Sequence, residues 1–253
     1  MLIKKNKVFA KKKLSATIFV KRGRMSEAGH WITSIGNYSF NMDTLVTMWL
    51  TMGILIAVSF LTTRNLGIIP TKLQVVFESI IGYFSDIASS NMGDKESRKH
   101  MPLLLTLFFF ILTANLIGQI PWRLVHLHTG ELASPNNDIN MTAAMAIIVL
   151  IYYVYFGLRK KGLKFFIHSF KVDGIIVALV DLLELVVRPF SLALRLFANI
   201  LAGEILVFTF AGMCAYFLPL PFMFFEVFVA LIQALVFTLL STTYISLAVM
   251  EEH

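Results

Sequence analysis

The chain has 253 residues, of which 57% are hydrophobic and 15% are charged. Soluble domains carry roughly 45–50% apolar and about 25% charged residues, so this composition argues against a large soluble core and for an all-α polytopic membrane protein. The net charge of +7 does not mark a nucleic-acid-binding protein, because residues 1–24 hold nine basic residues and no acidic one, and subtracting nine leaves the remainder at −2.

In chain order, residues 1–40 read as a basic N-terminal tail, and residues 41–253 as a single membrane-integral domain. SATIFV, the apolar stretch of the leader, is too short for a signal-peptide core. The leader reads either as a basic cytoplasmic or surface-binding arm, or as sequence upstream of a true start at Met25. Thr44–Thr63 (TLVTMWLTMGILIAVSFLTT) holds no charged residue and is long enough for one membrane span. In residues 70–90 (PTKLQVVFESIIGYFSDIASS) the positions Leu73, Val76, Phe77, Ile80, Ile81, Phe84 and Ile87 recur at three and four. That spacing predicts an amphipathic helix on or near the membrane surface. Pro102–Trp122 (PLLLTLFFFILTANLIGQIPW) and Met141–Leu158 (MTAAMAIIVLIYYVYFGL) are predicted as the second and third spans. Between these two, VHLHTG offers His126 and His128. Two histidines without a third ligand are a weak metal signal, so no metal site is expected. RKKGLKFFIHSFK, residues 159–171, is a basic amphipathic loop.

From Gly174 to Leu218 the chain is nearly all apolar, with Asp181, Glu184, Arg188, Arg195 and Glu204 embedded in it. LPLP at 218–221 predicts a turn, and Phe222–Met250 a last helix. Both long segments exceed the roughly 20 residues a perpendicular span needs, which predicts a long tilted hairpin. The single Cys214 excludes an internal disulfide and reads as a small packed side chain. The loops 64–101 and 159–171 each carry five basic residues, whereas 120–139 carries only Arg123. The bias predicts that the first two are cytoplasmic and the third external. Five spans then put the N-terminus outside, and the basic leader stands against the rule.

At 100° per residue, Asp181, Glu184, Arg188, Ser191, Arg195 and Asn199 form one polar stripe. Such a stripe is expected to face protein or a water-filled path instead of lipid. Glu204, nine residues past Arg195, points the opposite way. Glu226, Gln233 and Tyr244 share a face of the last segment. Structural readings stand beside the functional ones. Glu184 and Arg188 are spaced for an intrahelical ion pair, Ser191 for a bond to its own helix, and Gln233 for an interhelical hydrogen bond. Arg195 has no acid at three or four residues' distance, so a structural salt bridge needs Glu204 or Glu226 from elsewhere. Ala193, Ala198, Ala202 and Gly203 would let a neighbouring helix come close. The functional reading is an ion path. Intramembrane ionisable residues are functional candidates, and a permanent cation can make a mobile carboxylate release its proton. A poorly solvated carboxyl can hold a proton at neutral pH, which suits Glu204 and Glu226 for passing protons.

RPFSLALRLFANILAGE followed by IQALVFTLLSTTYISLAVMEEH resembles subunit a of the membrane sector of F-type ATP synthase, of the bacterial or plastid kind. PTKLQVVFES, NLIGQIP and NDINMT fit the same family, and the resemblance runs from about residue 40 to 253. It implies that Arg195 is the essential arginine facing the ion-carrying carboxylates of the rotating c-ring, with Asn199 and Gln233 nearby. It further implies that Glu204, Glu226 and Asn115 line a half-channel from the external side, and that Asp181 and Ser191 belong to the cytoplasmic one. Some relatives carry histidine where Glu226 stands, which makes the relay here carboxylate at both positions. The implied partners are the c-ring oligomer, the b subunits of the peripheral stalk, the remaining synthase subunits and membrane lipid, with no nucleic acid and no cofactor. No GxxxxGK[ST] nucleotide motif occurs in the chain, so ATP chemistry would belong to partner subunits. The implied location is the bacterial plasma membrane, ahead of the thylakoid or mitochondrial inner membrane. The competing reading is a stand-alone cation/proton secondary transporter. Those folds often repeat internally with broken helices in both halves, whereas the long polar hairpin occurs here once.

Overall fold

The computed structural model describes residues 32–35, 38–64, 70–119, 134–162, 174–213 and 219–250, with side chains from residue 41 onward except 174–182, 208, 211 and 213. The leader, His126, His128 and Cys214 lie outside the described residues. So does the side chain of Asp181. The fold is all-α and polytopic. Six α-helices are described: α1 (Met42–Thr63), α2 (Lys72–Met92), α3 (Asp94–Gly118), α4 (Ile139–Lys161), α5 (Gly174–Met213) and α6 (Pro219–Val249). All but α2 contain a stretch long and apolar enough to cross a membrane; in α5 it is Leu183–Val207. A short antiparallel hairpin, β1 (Ile32–Ile35) with β2 (Tyr38–Asn41), pairs Ile32 with Asn41 and leads directly into α1.

Burial in α1 inverts the soluble pattern. Its buried positions are Asp43, Thr47 and Thr51, while Trp49, Ile56, Phe60 and Leu61 are exposed. Water does not drive apolar side chains inward in lipid, so small residues that let helices approach take the interior. Their hydroxyls need partners and find them on their own helix. Thr47 donates to the Asp43 carbonyl and Thr51 to the Thr47 carbonyl, both at 2.8 Å. The same device serves Thr238, Ser241 and Thr242 on α6. Phe84, Leu104, Phe108, Ile111, Val149, Leu192, Leu196 and Ile245 build the core from α2 to α6.

Several boundaries differ from the sequence reading. The second span begins at Asp94, eight residues early, because DKESRKH continues the helix as polar first turns with Asp94 and Glu96 at its positive end. Gly93, at φ 77°, separates α2 from α3 in a conformation that favours glycine. The expected turn at 218–221 is corrected: Pro219 and Pro221 begin α6 itself. A first helical turn tolerates proline because its N–H groups have no intrahelical partner. The face of α2 is also narrower than expected. Gln74, Phe84, Ala88 and Met92 are buried, whereas Leu73, Val76 and Ile81 are exposed.

Pro189 lies inside α5 and cannot donate to the Leu185 carbonyl one turn earlier. Tyr153 of α4 supplies the missing donor, its hydroxyl 3.1 Å from that carbonyl. A freed backbone group is thus satisfied from a neighbouring helix, as membrane depth requires.

The two ends of the bundle differ in chemistry. At one end Glu96 lies 3.0 Å from Lys99 and 3.6 Å from Lys160, which ties α3 to α4. His100 is buried there, its Nδ1 3.0 Å from the Tyr152 hydroxyl and its ring edge-on to Phe156. Lys161 donates to the Leu247 carbonyl at 3.1 Å, and Ser246 to that of Asn91 at 2.7 Å. The predicted cytoplasmic sides of α3 and α4 therefore meet at one end. The other end carries the turn Pro135–Asn137 that precedes α4.

Candidate functional site

The site is organised along α5. At 1.5 Å per residue its 40 residues extend about 60 Å, twice the hydrocarbon thickness of roughly 30 Å. Glu184 and Arg188 form the expected ion pair. The Arg188 guanidinium also stands 5.4 Å from the centre of the Tyr244 ring of α6.

Arg195 follows two turns later and is exposed. Among the described residues no carboxylate pairs with it, so the structural salt bridge to Glu204 or Glu226 does not form within this chain. Ser191 is exposed on the same side, and Asn199 is half-buried. Phe190, Leu194, Ile205 and the small residues Ala198 and Ala202 are exposed with them. At Glu184, Ser191 and Arg195 the stripe does not face this chain's own interior. They look outward from the bundle, because the interior face of α5 is taken by Leu192, Ala193, Leu196 and Ile200.

Beyond Arg195 the chain gathers a second polar group, at the end marked by Pro135–Asn137. Asn115 of α3 is fully buried. It accepts a hydrogen bond from the Asn136 amide at 2.6 Å and donates to the Ala230 carbonyl of α6 at 3.4 Å. Asn137 donates to a Glu204 carboxyl oxygen at 2.5 Å. Glu226 of α6 packs against Gly203, where a Cβ would stand 2.8 Å from the glutamate Cδ. Three positions named from sequence, Asn115, Glu204 and Glu226, thus converge on one end with Asn136 and Asn137, to which the sequence reading assigned no role. Gln233 sits two turns further along α6, half-buried. Arg195 is separated from Glu204 by nine residues, about 13 Å along the axis.

Local structure explains the convergence. Ser134 accepts from the Asn136 N–H at 3.4 Å and donates to the Ala114 carbonyl at 3.2 Å, which pins the turn against α3. Gly118 permits that contact, since a Cβ there would lie 2.7 Å from Ser134 Oγ and 3.1 Å from its Cα. Asp138 caps α4 through the Asn140 N–H at 2.9 Å and accepts from Asn41 at 2.8 Å. Gly118→Ala is expected to destabilise the protein by about 1–3 kcal/mol, as overpacking against backbone does. Thermal unfolding of the purified protein checks this.

The ATP synthase A chain family model matches residues 45–246. The chain belongs to the ATP synthase A chain family. ATP synthase subunit a of Gloeobacter violaceus is 42% identical over 228 residues, which covers 90% of this chain and 92% of that protein. Asn115, Asn136, Asn137, Arg195, Glu204, Glu226 and Gln233 all lie inside the stretch that the A chain family model matches, and the apolar lengths of α1 and α3–α6 make this family member an integral membrane protein.

Proposed function

We propose that this chain is the stationary ion-translocating subunit of the membrane sector of an F-type ATP synthase, with two offset half-channels that load and unload protons on a rotating c-ring. The observation that carries the reading is Arg195. An exposed guanidinium, within an apolar span and without a carboxylate partner among the described residues, is costly in lipid, by about 2.5–3.5 kcal/mol on insertion scales. Arginine cannot lower that cost by losing its proton. A partner that brings carboxylates to this outward face removes the penalty, and a c-ring is such a partner.

In this mechanism a proton enters at the Asn115–Asn136 end, passes Glu226 and Glu204, and neutralises a c-ring carboxylate. The neutral site rotates through lipid. On return it meets the second half-channel, to which Asp181 and Ser191 are assigned, and approaches Arg195. The fixed cation favours the carboxylate, which gives up its proton. Asn199 and Gln233 flank the arginine. The fixed charge of Arg195 blocks direct proton leakage between the two paths. A membrane potential contributes about 2.3 kcal/mol per charge per 100 mV. The b subunits of the peripheral stalk and the remaining synthase subunits complete the assembly. The basic ends of α3 and α4 face the cytoplasm, and the membrane is the bacterial plasma membrane.

Purification in mild detergent tests the reading: the chain is expected to bring down a c-ring and soluble ATPase subunits. Isolation as a self-contained transporter would favour the stand-alone secondary-transporter alternative. Gly203→Ala probes the outer path. The obstructing atoms belong to the flexible end of Glu226, so the side chain moves and the fold persists. ATP-driven proton pumping is expected to fall by up to about 10²-fold, as misplacement of a reacting group does, with assembly retained on native gels.

A further inference from the structure

Asn137 occupies an unusual place in the turn before α4. Two polar residues of the same segment, Ser134 and Asp138, serve local backbone. Ser134 caps the turn through the Asn136 N–H, and Asp138 caps α4 through the Asn140 N–H. Asparagine in such a setting usually bonds its own segment. The Asn137 side chain instead crosses to α5 and donates to Glu204, 67 residues away, at 2.5 Å. Its Oδ1 is buried with no protein partner among the described residues, so the bond to Glu204 is what holds the amide's orientation.

We propose that Asn137 is a positioning residue for proton transfer at Glu204, selecting which carboxyl oxygen carries the proton. This rests on the reading of Glu204 as a member of the outer path. The chemistry follows from the donor inventory. An amide N–H can bond a carboxylate oxygen or the carbonyl oxygen of a carboxylic acid, but it cannot donate to an oxygen through that oxygen's own proton. The bond to Asn137 therefore stays strongest through both protonation states when the proton sits on the other oxygen, because the carbonyl oxygen of a carboxylic acid is a better acceptor than its hydroxyl oxygen. One oxygen is anchored, and the other takes up and releases the proton in a fixed direction. A short bond to a carboxylate is also among the stronger neutral-donor contacts. The acids on elements around the turn have other placements: Asp138 is held by Asn41, Glu226 packs on Gly203, and Asp43 is buried at the start of α1.

The test uses the whole synthase in proteoliposomes with the ATPase face outward, so that the sealed lumen is the external side. Asn137→Asp keeps the shape and removes the donor. Relative to wild type, pumping is expected to fall about tenfold at neutral lumenal pH. As the lumen is acidified the ratio is expected to recover, because a protonated aspartate again offers a donor to Glu204. A merely structural role would not produce that recovery. Asn137→Ala is expected to lose activity without it. In a Glu204→Gln background, Asn137→Asp is expected to add little, since the two act as a unit. A loss that is independent of lumenal pH, a fully additive loss, or unchanged pumping in Asn137→Asp would overturn the proposal. An unaffected Glu204→Gln enzyme would instead remove Glu204 from the path, a separate failure.

Discussion

Arg195→Ala abolishes ATP-driven proton pumping in inverted membrane vesicles while the synthase still assembles. Assembly persists because Arg195 is exposed on α5 and touches no carboxylate among the described residues, so its loss opens no cavity and strands no buried charge. Pumping fails because nothing else on the outward face of α5 carries a permanent positive charge at that depth. Glu184 already pairs with Arg188 two turns away. Without the cation, a returning c-ring carboxylate has no incentive to ionise, and a proton meets no barrier between the half-channels. Dye quenching reads the pumping, and phosphate release reads ATP hydrolysis in parallel. Coupled pumping at near wild-type rate in this variant would defeat the assigned role.

Glu204→Gln slows translocation on the order of 10²-fold, the scale of losing a proton-transfer group, without dismantling the site. Glutamine is nearly isosteric, and its carbonyl oxygen can still accept from Asn137 at the position where Glu204 does at 2.5 Å. What it cannot do is bind and release a proton. Glu204→Asp separates chemistry from geometry. It keeps the carboxyl but draws it back from Asn137, so an intermediate rate is expected. Proton uptake by proteoliposomes at fixed ATP checks the order wild type, then Asp, then Gln. Equal rates for all three would take Glu204 out of the path.

Local features of the site were legible before the structure. The Glu184–Arg188 pair needs only a spacing of four on one helix, and it forms. The opposition of Arg195 and Glu204 needs only the helical period, and the two do occupy different surroundings. The direction of the stripe was not legible. Periodicity says that Ser191 and Arg195 share a face, but not that Leu192 and Leu196 win the inner one. Asn136 and Asn137 were hidden for a related reason. An asparagine pair before a helix looks like capping, and here Ser134 and Asp138 do the capping.

The sequence by itself determined the apolar spans, the overlong last pair of helices and the family, because each is written in contiguous residues. Hydropathy and helical period act over one or two turns and need no partner. Only the tertiary structure decided that Asn115 meets Asn136 and Ala230 across 21 and 115 residues, and that Asn137 meets Glu204 across 67. Helix packing sets those encounters: a period assigns a residue to a face, and only the docking of α3, α5 and α6 around the turn before α4 assigns that face a neighbour.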